Sequence, residues 1–302
     1  MDYQYLLELF CGGVVKGSLY ALIALGYTMV YGIIQLINFA HGEIYMIGAF
    51  VAFIVAGILT FSGYSGLSVL LLAAIVSVLY VAAYGFTLEK IAYRPLRHAP
   101  RLSPLISAIG ASIFLTNYVQ LVQTPDFLPF PELIPEFEFM ADISSLLSSA
   151  DLVILVVTAL TMIALTVLIK FTRIGKAMRA TQQDMIMARL VGINVDRVIS
   201  WTFIIGSILA AIAGVLIGSR SGQINAAIGF MAGIKAFTAA VLGGIGNIPG
   251  AVLGGLLLGI AETFGAGYIS SAYEDVFAFA LLVIVLTLRP AGLLGKATKQ
   301  KV

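Results

Sequence analysis

Apolar runs long enough to cross a bilayer recur along the whole chain, and no other property narrows its fold as much. They fall at about residues 17–36, 44–61, 67–88, 104–123, 152–169, 198–218, 232–248, 250–266 and 275–289, each near the roughly 18–20 apolar residues that a membrane helix needs. With 60% hydrophobic residues and a mean hydropathy of +1.04, a soluble core could not hide this surface. The expected fold is all-α: a polytopic helical bundle of eight or nine spans. The count stays open because 232–248 contains Lys235 and 250–266 follows Pro249 directly. That pair reads as either full spans or short, broken or re-entrant helices.

Charge sets the expected orientation. Residues 89–101 carry Lys90, Arg94, Arg97 and Arg101, whereas residues 102–169 contain no Lys or Arg. Asp126, Glu132, Glu136, Glu138, Asp142 and Asp151 lie within that second region, with Pro125, Pro129, Pro131 and Pro135 favouring extended backbone. The basic loops belong inside and the acidic loop outside. The tail with Lys296, Lys299 and Lys301 then goes inside, and counting back puts the N-terminus outside.

The longest basic passage, 170–197, sets Lys170, Arg173, Lys176, Arg179, Arg189 and Arg197 against Asp184 and Asp196. Good helix formers between Gly175 and Gly192 predict a surface helix of about five turns. At 100° per residue, Ala177, Ala180, Thr181, Asp184, Ala188 and Val191 share one side. Such a small-residue side suits close docking of another protein, and a solvated positive-inside loop without a partner is the alternative.

Three stretches could line a pathway or pack it. Asn38, His41, Gly42 and Glu43 place an amide, an imidazole and a carboxylate between apolar runs, where such groups usually face a cavity or a partner. An ordinary turn with Glu43 at a helix start explains them equally well. At a constant offset of 187, Asn38 and Gly42 fall on Asn225 and Gly229, and Ile37, Ala40, Ala49, Phe50 and Ala52 also find identical residues. With one copy inside and the other outside, this predicts an inverted repeat in which Asn38 and Asn225 are paired pathway residues. In residues 240–259, Gly243, Gly244, Gly246, Gly250 and Gly254 around Pro249 suit close helix packing. Glu262, without a sequence partner, reads as structural or as a helix-end carboxylate.

Several classes are disfavoured. Cys11 is the one cysteine, so neither a disulfide framework nor a thiolate metal site is expected. His41 and Glu43 are too isolated for a metal site. The first fifteen residues lack Lys and Arg, which argues against a cleaved signal peptide. Nucleic acid is an improbable partner at a net charge of +2. An intramembrane enzyme would need paired carboxylates, a metal cluster or a nucleophile with its base, none of which stands out. The glycine run is not followed by Gly-Lys-Ser/Thr, so ATP would be hydrolysed elsewhere.

Taken together, the stretches GSLYALIALGYTMVYGIIQLINFAHGEIYMIGA at 17–49, EKIAYRPLR at 89–97, ISAIGASIFLTNYVQ at 106–120, RIGKAMRA at 173–180, LVGINVDRV at 190–198 and GFMAGIKAFTAAVLGGIGNIPGAVLGG at 229–255 carry a resemblance. They are similar to the permease subunit of the high-affinity branched-chain amino-acid importers of the bacterial ATP-binding-cassette class, over essentially the whole chain. The resemblance implies one transmembrane permease domain over 1–302 in the bacterial inner membrane, with 170–197 as its cytoplasmic coupling loop. It implies a second, related permease, two ATPase subunits that use ATP and Mg, a periplasmic substrate-binding protein and surrounding membrane lipid as partners, with no cofactor on this chain. Gly175, Lys176, Ala177, Arg179, Ala180, Asp184, Ala188 and Gly192 would then form the ATPase-coupling segment, and the acidic loop would meet the binding protein. Importers of other amino acids, amides or urea remain alternatives. So does an ion-driven carrier, which would depend on a membrane carboxylate such as Glu262.

Overall fold

The computed structural model describes residues 3–97, 99–100, 102–138 and 146–295. His98, Arg101, Asp142 and the tail lysines Lys296, Lys299 and Lys301 lie outside the described residues. Helices dominate: α1 (Tyr3–Ile34), α2 (His41–Phe61), α3 (Leu67–Leu88), α4 (Leu102–Val122), α5 (Ser149–Phe171), α6 (Arg173–Gln183), α7 (Met185–Leu190), α8 (Val195–Ser221), α9 (Ile228–Gly243), α10 (Ile248–Tyr268) and α11 (Glu274–Leu288). A π turn at Glu89–Tyr93 and a 3-10 turn at Arg94–Leu96 prolong α3. Eight helical stretches among the described residues are long and apolar enough to span a membrane, α11 being counted with the 3-10 turn Ser271–Tyr273 that precedes it, and the 16-residue α9 falls short of that length.

Two expectations change in detail. Of the uncertain pair, the first becomes the short α9, whereas the second, α10, is full length with Pro249 tolerated in its first turn. The first helix starts at Tyr3 and not near residue 17. Its early turns are held because glycines seat them on α10: a β-carbon on Gly13 would stand 2.8 Å from the Ile260 Cα, and one on Gly17 2.7 Å from the Leu256 Cα. Gly255 and Gly259 of α10 return the contact onto Ala21 and Gly17. Backbones meet there at a distance only glycine allows.

The charged loops sort to opposite ends of the bundle. At one end Arg97 bridges Glu89 and, at 2.5 Å, Asp196 at the start of α8, while Gln182 of α6 reaches the Gly246 carbonyl between α9 and α10. The Asn247 amide also binds the Leu294 carbonyl at 2.7 Å, so the last described residues share this basic end. At the other end, β1 (Leu128–Pro129) pairs antiparallel with β2 (Gln223–Ile224). Arg220 also binds Asp151 there, at 2.6 Å. Asp151 closes a capping box with Ser148 that starts α5.

The 187-residue offset holds for the two helix boundaries at the break between α1 and α2 and that between α8 and α9. Ile34, the end of α1, plus 187 is Ser221, the end of α8; His41, the start of α2, plus 187 is Ile228, the start of α9. Because α1 and α8 begin at opposite ends of the bundle, the two triplets α1–α2–α3 and α8–α9–α10 run in opposite senses. Each lead helix packs on the other triplet: α1 lies mainly against α10, and α8 against α2 and α3. This is the arrangement of an inverted repeat.

Candidate functional site: two re-entering connections

Both triplets break after their first helix, and both connections turn back into the bundle. Helix α1 ends where Gln35 takes a left-handed φ of 53°. Asn38 then accepts the His41 N–H on its carbonyl at 3.0 Å. The His41 side chain lies against Gly26, eight residues before the end of α1, so α2 starts roughly 12 Å inside at 1.5 Å per residue. In the second triplet, the Asn225 Oδ1 accepts the N–H groups of Ala227 (3.2 Å) and Ile228 (3.1 Å) and opens α9.

The first turns of α2 and α9 meet. A β-carbon on Gly42 would strike the Gly229 carbonyl and stand 2.8 Å from the Gly233 Cα; one on Gly229 would strike the Glu43 carboxylate. Thus Gly42 and Gly229, matched by the repeat, touch one another. Glu43 is buried at 1% exposure. Its Oε1 accepts from the Ser112 hydroxyl of α4 at 2.7 Å, and its Oε2 has no hydrogen-bond partner among the described residues. The carboxylate sits in the first turn of its own helix and against the first turn of α9, where both macrodipoles favour negative charge. His41 is equally buried, with its ring edge-on to Tyr27 at a centroid distance of 4.8 Å and its Nε2 unpartnered among the described residues. Tyr93 donates to the Asn38 Oδ1 at 2.6 Å and packs on Phe203 of α8.

Beside this crossing lies a cleft of about 300 Å³ between α4 and α9, with Tyr27, Phe39, Ser112, Thr116, Phe230 and Phe237 among its walls. The structure brings Gly42, Glu43 and Gly229 together behind it, while His41, in the same turn, directs its ring to Gly26 and Tyr27. Asn38 and Asn225 do not form a matched pair on the cleft; each is held at its own connection. Tyr27 and Ser112 were not legible as site residues, because nothing in their own helices sets them apart from the other scattered polar groups there and Ser112 lies 69 residues from its partner Glu43.

The basic segment also departs from expectation. It is not one five-turn helix: Asp184, at φ −158°, ends α6 and caps α7, accepting from Ile186 (2.8 Å) and Met187 (3.0 Å). The alanine side turns inward, with Ala188 and Thr181 buried and Ala177 and Ala180 half-buried. Gly175 is pressed against the Leu168 and Ile169 carbonyls of α5, and Arg179 donates to Ile169. Gly192 has φ +86° and open space around it, so its role is conformational. What faces outward is Lys176, Arg179 and Arg189 beside a bulky apolar group, Ile186, Met187, Leu190 and Val191, each more than half exposed.

The glycine run divides likewise. Gly243, Gly250 and Gly254 pack α9 on α10 through backbone contacts, but Gly244 (φ 102°) and Gly246 (φ 91°) are turn glycines between those helices. Glu262 is not unpaired: Lys235 binds it, and Lys16 lies 3.5 Å away.

The chain is similar to known proteins over nearly its whole length. The family described as "Branched-chain amino acid transport system / permease component" matches residues 9–286. The chain is 52% identical to the high-affinity branched-chain amino acid transport system permease protein BraD of Pseudomonas aeruginosa, covering 99% of both chains. It is 51% identical to the corresponding permease protein LivH of Escherichia coli (strain K12), over 100% of this chain and 99% of that one. A solved structure, PsaBC from Streptococcus pneumoniae in complex with Fab, aligns at a TM-score of 0.42 and 13% identity, over 94% of this chain and 90% of that one.

Proposed function

The chain belongs to the family of branched-chain amino acid transport permease components, and from that membership we propose how it works: as one of two membrane subunits of an ATP-driven importer for leucine, isoleucine and valine. Full-length similarity to two such permeases at about half identity carries this reading. In the bacterial inner membrane a second, related permease would complete the path, two ATPase subunits using ATP and Mg would drive it from the cytoplasm, and a periplasmic binding protein would deliver substrate. The positive-inside rule puts the basic end, and with it the C-terminus, in the cytoplasm.

The α6–α7 segment is the proposed ATPase contact, with its outward face now assigned to Ile186, Met187, Leu190 and Val191 and its rim to Lys176, Arg179 and Arg189. Ala177, Ala180 and Ala188 would transmit motion inward, since α6 packs on α1, α5 and α8. Asp184 and Gly192 would fix the segment's shape, and Gly175 its seat on α5. Closure of the ATPase pair would push this lever against α1 and α8, whose re-entering connections carry Asn38, His41, Gly42, Glu43, Asn225 and Gly229. The pairing of Glu262 with Lys235 and Lys16 makes it a poor ion-exchanging carboxylate for an ion-driven carrier. Co-purification of the tagged chain from its native membrane tests the proposal: a sister permease and ATPase subunits should come with it, and recovery of the chain alone, in a detergent that preserves comparable complexes, would overturn it.

A further inference from the structure

Resting on that reading, we infer that the cleft between α4 and α9 is where this subunit holds the amino acid in transit, with the Ser112 hydroxyl oxygen, backed by the buried Glu43 carboxylate, facing its ammonium group and an Ile/Phe wall facing its side chain. The polar groups of α4 at the cleft all spend donors within the protein. Ser112 donates to Glu43 at 2.7 Å, Thr116 to the Ser112 carbonyl at 3.1 Å, and the Asn117 amide to the Ile113 carbonyl at 2.7 Å. With their single hydroxyl hydrogens so engaged, Ser112 and Thr116 offer the cleft acceptor lone pairs, which match the N–H donors of an ammonium group better than the oxygens of a carboxylate, while the second N–H of the Asn117 amide stays available to donate. Behind Ser112 stands a buried carboxylate for which no cation lies within ion-pairing distance among the described residues.

The remaining wall is Phe39, Ile109, Ile113, Phe230, Ile234 and Phe237, an apolar room for a branched side chain. At about 300 Å³ the cleft is at the small end of the usual range for small-molecule sites. Asn117 is exposed past the middle of α4. An amide at that depth faces water or protein sooner than lipid, so this side of the bundle is the one turned to the translocation path.

The test uses the complete importer reconstituted in proteoliposomes, carrying Ile113→Cys in a Cys11→Ser background. Leucine should slow modification of the new cysteine by a small methanethiosulfonate at least fivefold, whereas 4-methylpentanoate, which lacks the ammonium group, should leave the rate unchanged. In a second variant, Ile109→Phe, the filled cleft should lower leucine uptake at least threefold more than valine uptake. A modification rate indifferent to leucine, together with an unchanged leucine-to-valine ratio in an importer that takes up leucine, overturns the inference and leaves the transport reading standing. A wild-type assembly that takes up neither amino acid overturns the transport reading itself.

Discussion

Gly42 and Gly192 both resist a side chain, for different reasons, and substitution separates them. At Gly42 the obstacle is another backbone, the Gly229 carbonyl and the Gly233 Cα, so even Gly42→Ala must push α2 and α9 apart. Overpacking of this kind costs about 1–3 kcal/mol, and here it also displaces Glu43 from the α9 N-terminus. Gly42→Ala should lower the thermal midpoint of the purified protein in detergent and reduce leucine uptake per molecule; a variant with wild-type values for both would show that the crossing can relax. At Gly192 the space is open and only φ +86° is demanding. There Gly192→Val should cost on the order of 1–2 kcal/mol, while Gly192→Asn, whose side chain tolerates the left-handed region, should lie close to wild type. Equal loss for both variants would mean that contacts, and not backbone conformation, select this glycine.

At the scale of elements, the two faces of α7 should respond differently to a charge. Leu190→Glu puts a carboxylate on an exposed surface, so the chain should fold normally but recover several-fold less ATPase subunit on co-purification. Ala188→Glu buries the same charge against the chain's own helices and should reduce the amount of folded permease before any docking is measured. If Leu190→Glu retains the ATPase in normal amounts, the outward face has been misassigned. That face could not be read from sequence, because alanines on one side of a helix suit burial in the chain's own core as well as contact with a partner. Asp184 carried the correct signal as an N-cap residue, but the surrounding run of good helix formers outweighed it. The spans, by contrast, were legible because long apolar runs have few alternatives. The repeat was legible too, since Gly42 and Gly229 are constrained by touching each other. Glu43 stood out as a carboxylate beside an apolar run, whereas Tyr27 and Ser112 become site residues only once α1, α2 and α4 are brought together.

Across the whole molecule, the charges with the widest reach are those that bind its last helix to the repeats. Lys16 of α1 and Lys235 of α9 share Glu262 of α10 and Glu274 of α11, and Lys235 also reaches Asp275 at 2.7 Å. Glu262 seemed isolated in the sequence because its partners come from distant helices. Its side chain is fully buried, and that of Lys235 is 10% exposed, so removing one partner is harsher than removing both: a stranded buried charge costs about 3–5 kcal/mol, whereas apolar replacement of a whole pair is often near neutral. Lys235→Met should therefore destabilise the purified chain more than the double variant Lys235→Met/Glu262→Met does, with Lys16, 3.5 Å from Glu262, keeping the loss below that of a fully stranded charge. Glu262→Gln, which keeps the side-chain shape and leaves the lysines facing Glu274 and Asp275, should lower the thermal midpoint modestly and leave leucine uptake per assembled importer largely intact. An ion-driven carrier gives the opposite pattern, since loss of the ion-binding carboxylate abolishes uptake even when the protein is as stable as before. Measuring both quantities on Glu262→Gln thus decides whether this buried carboxylate joins helices or moves an ion.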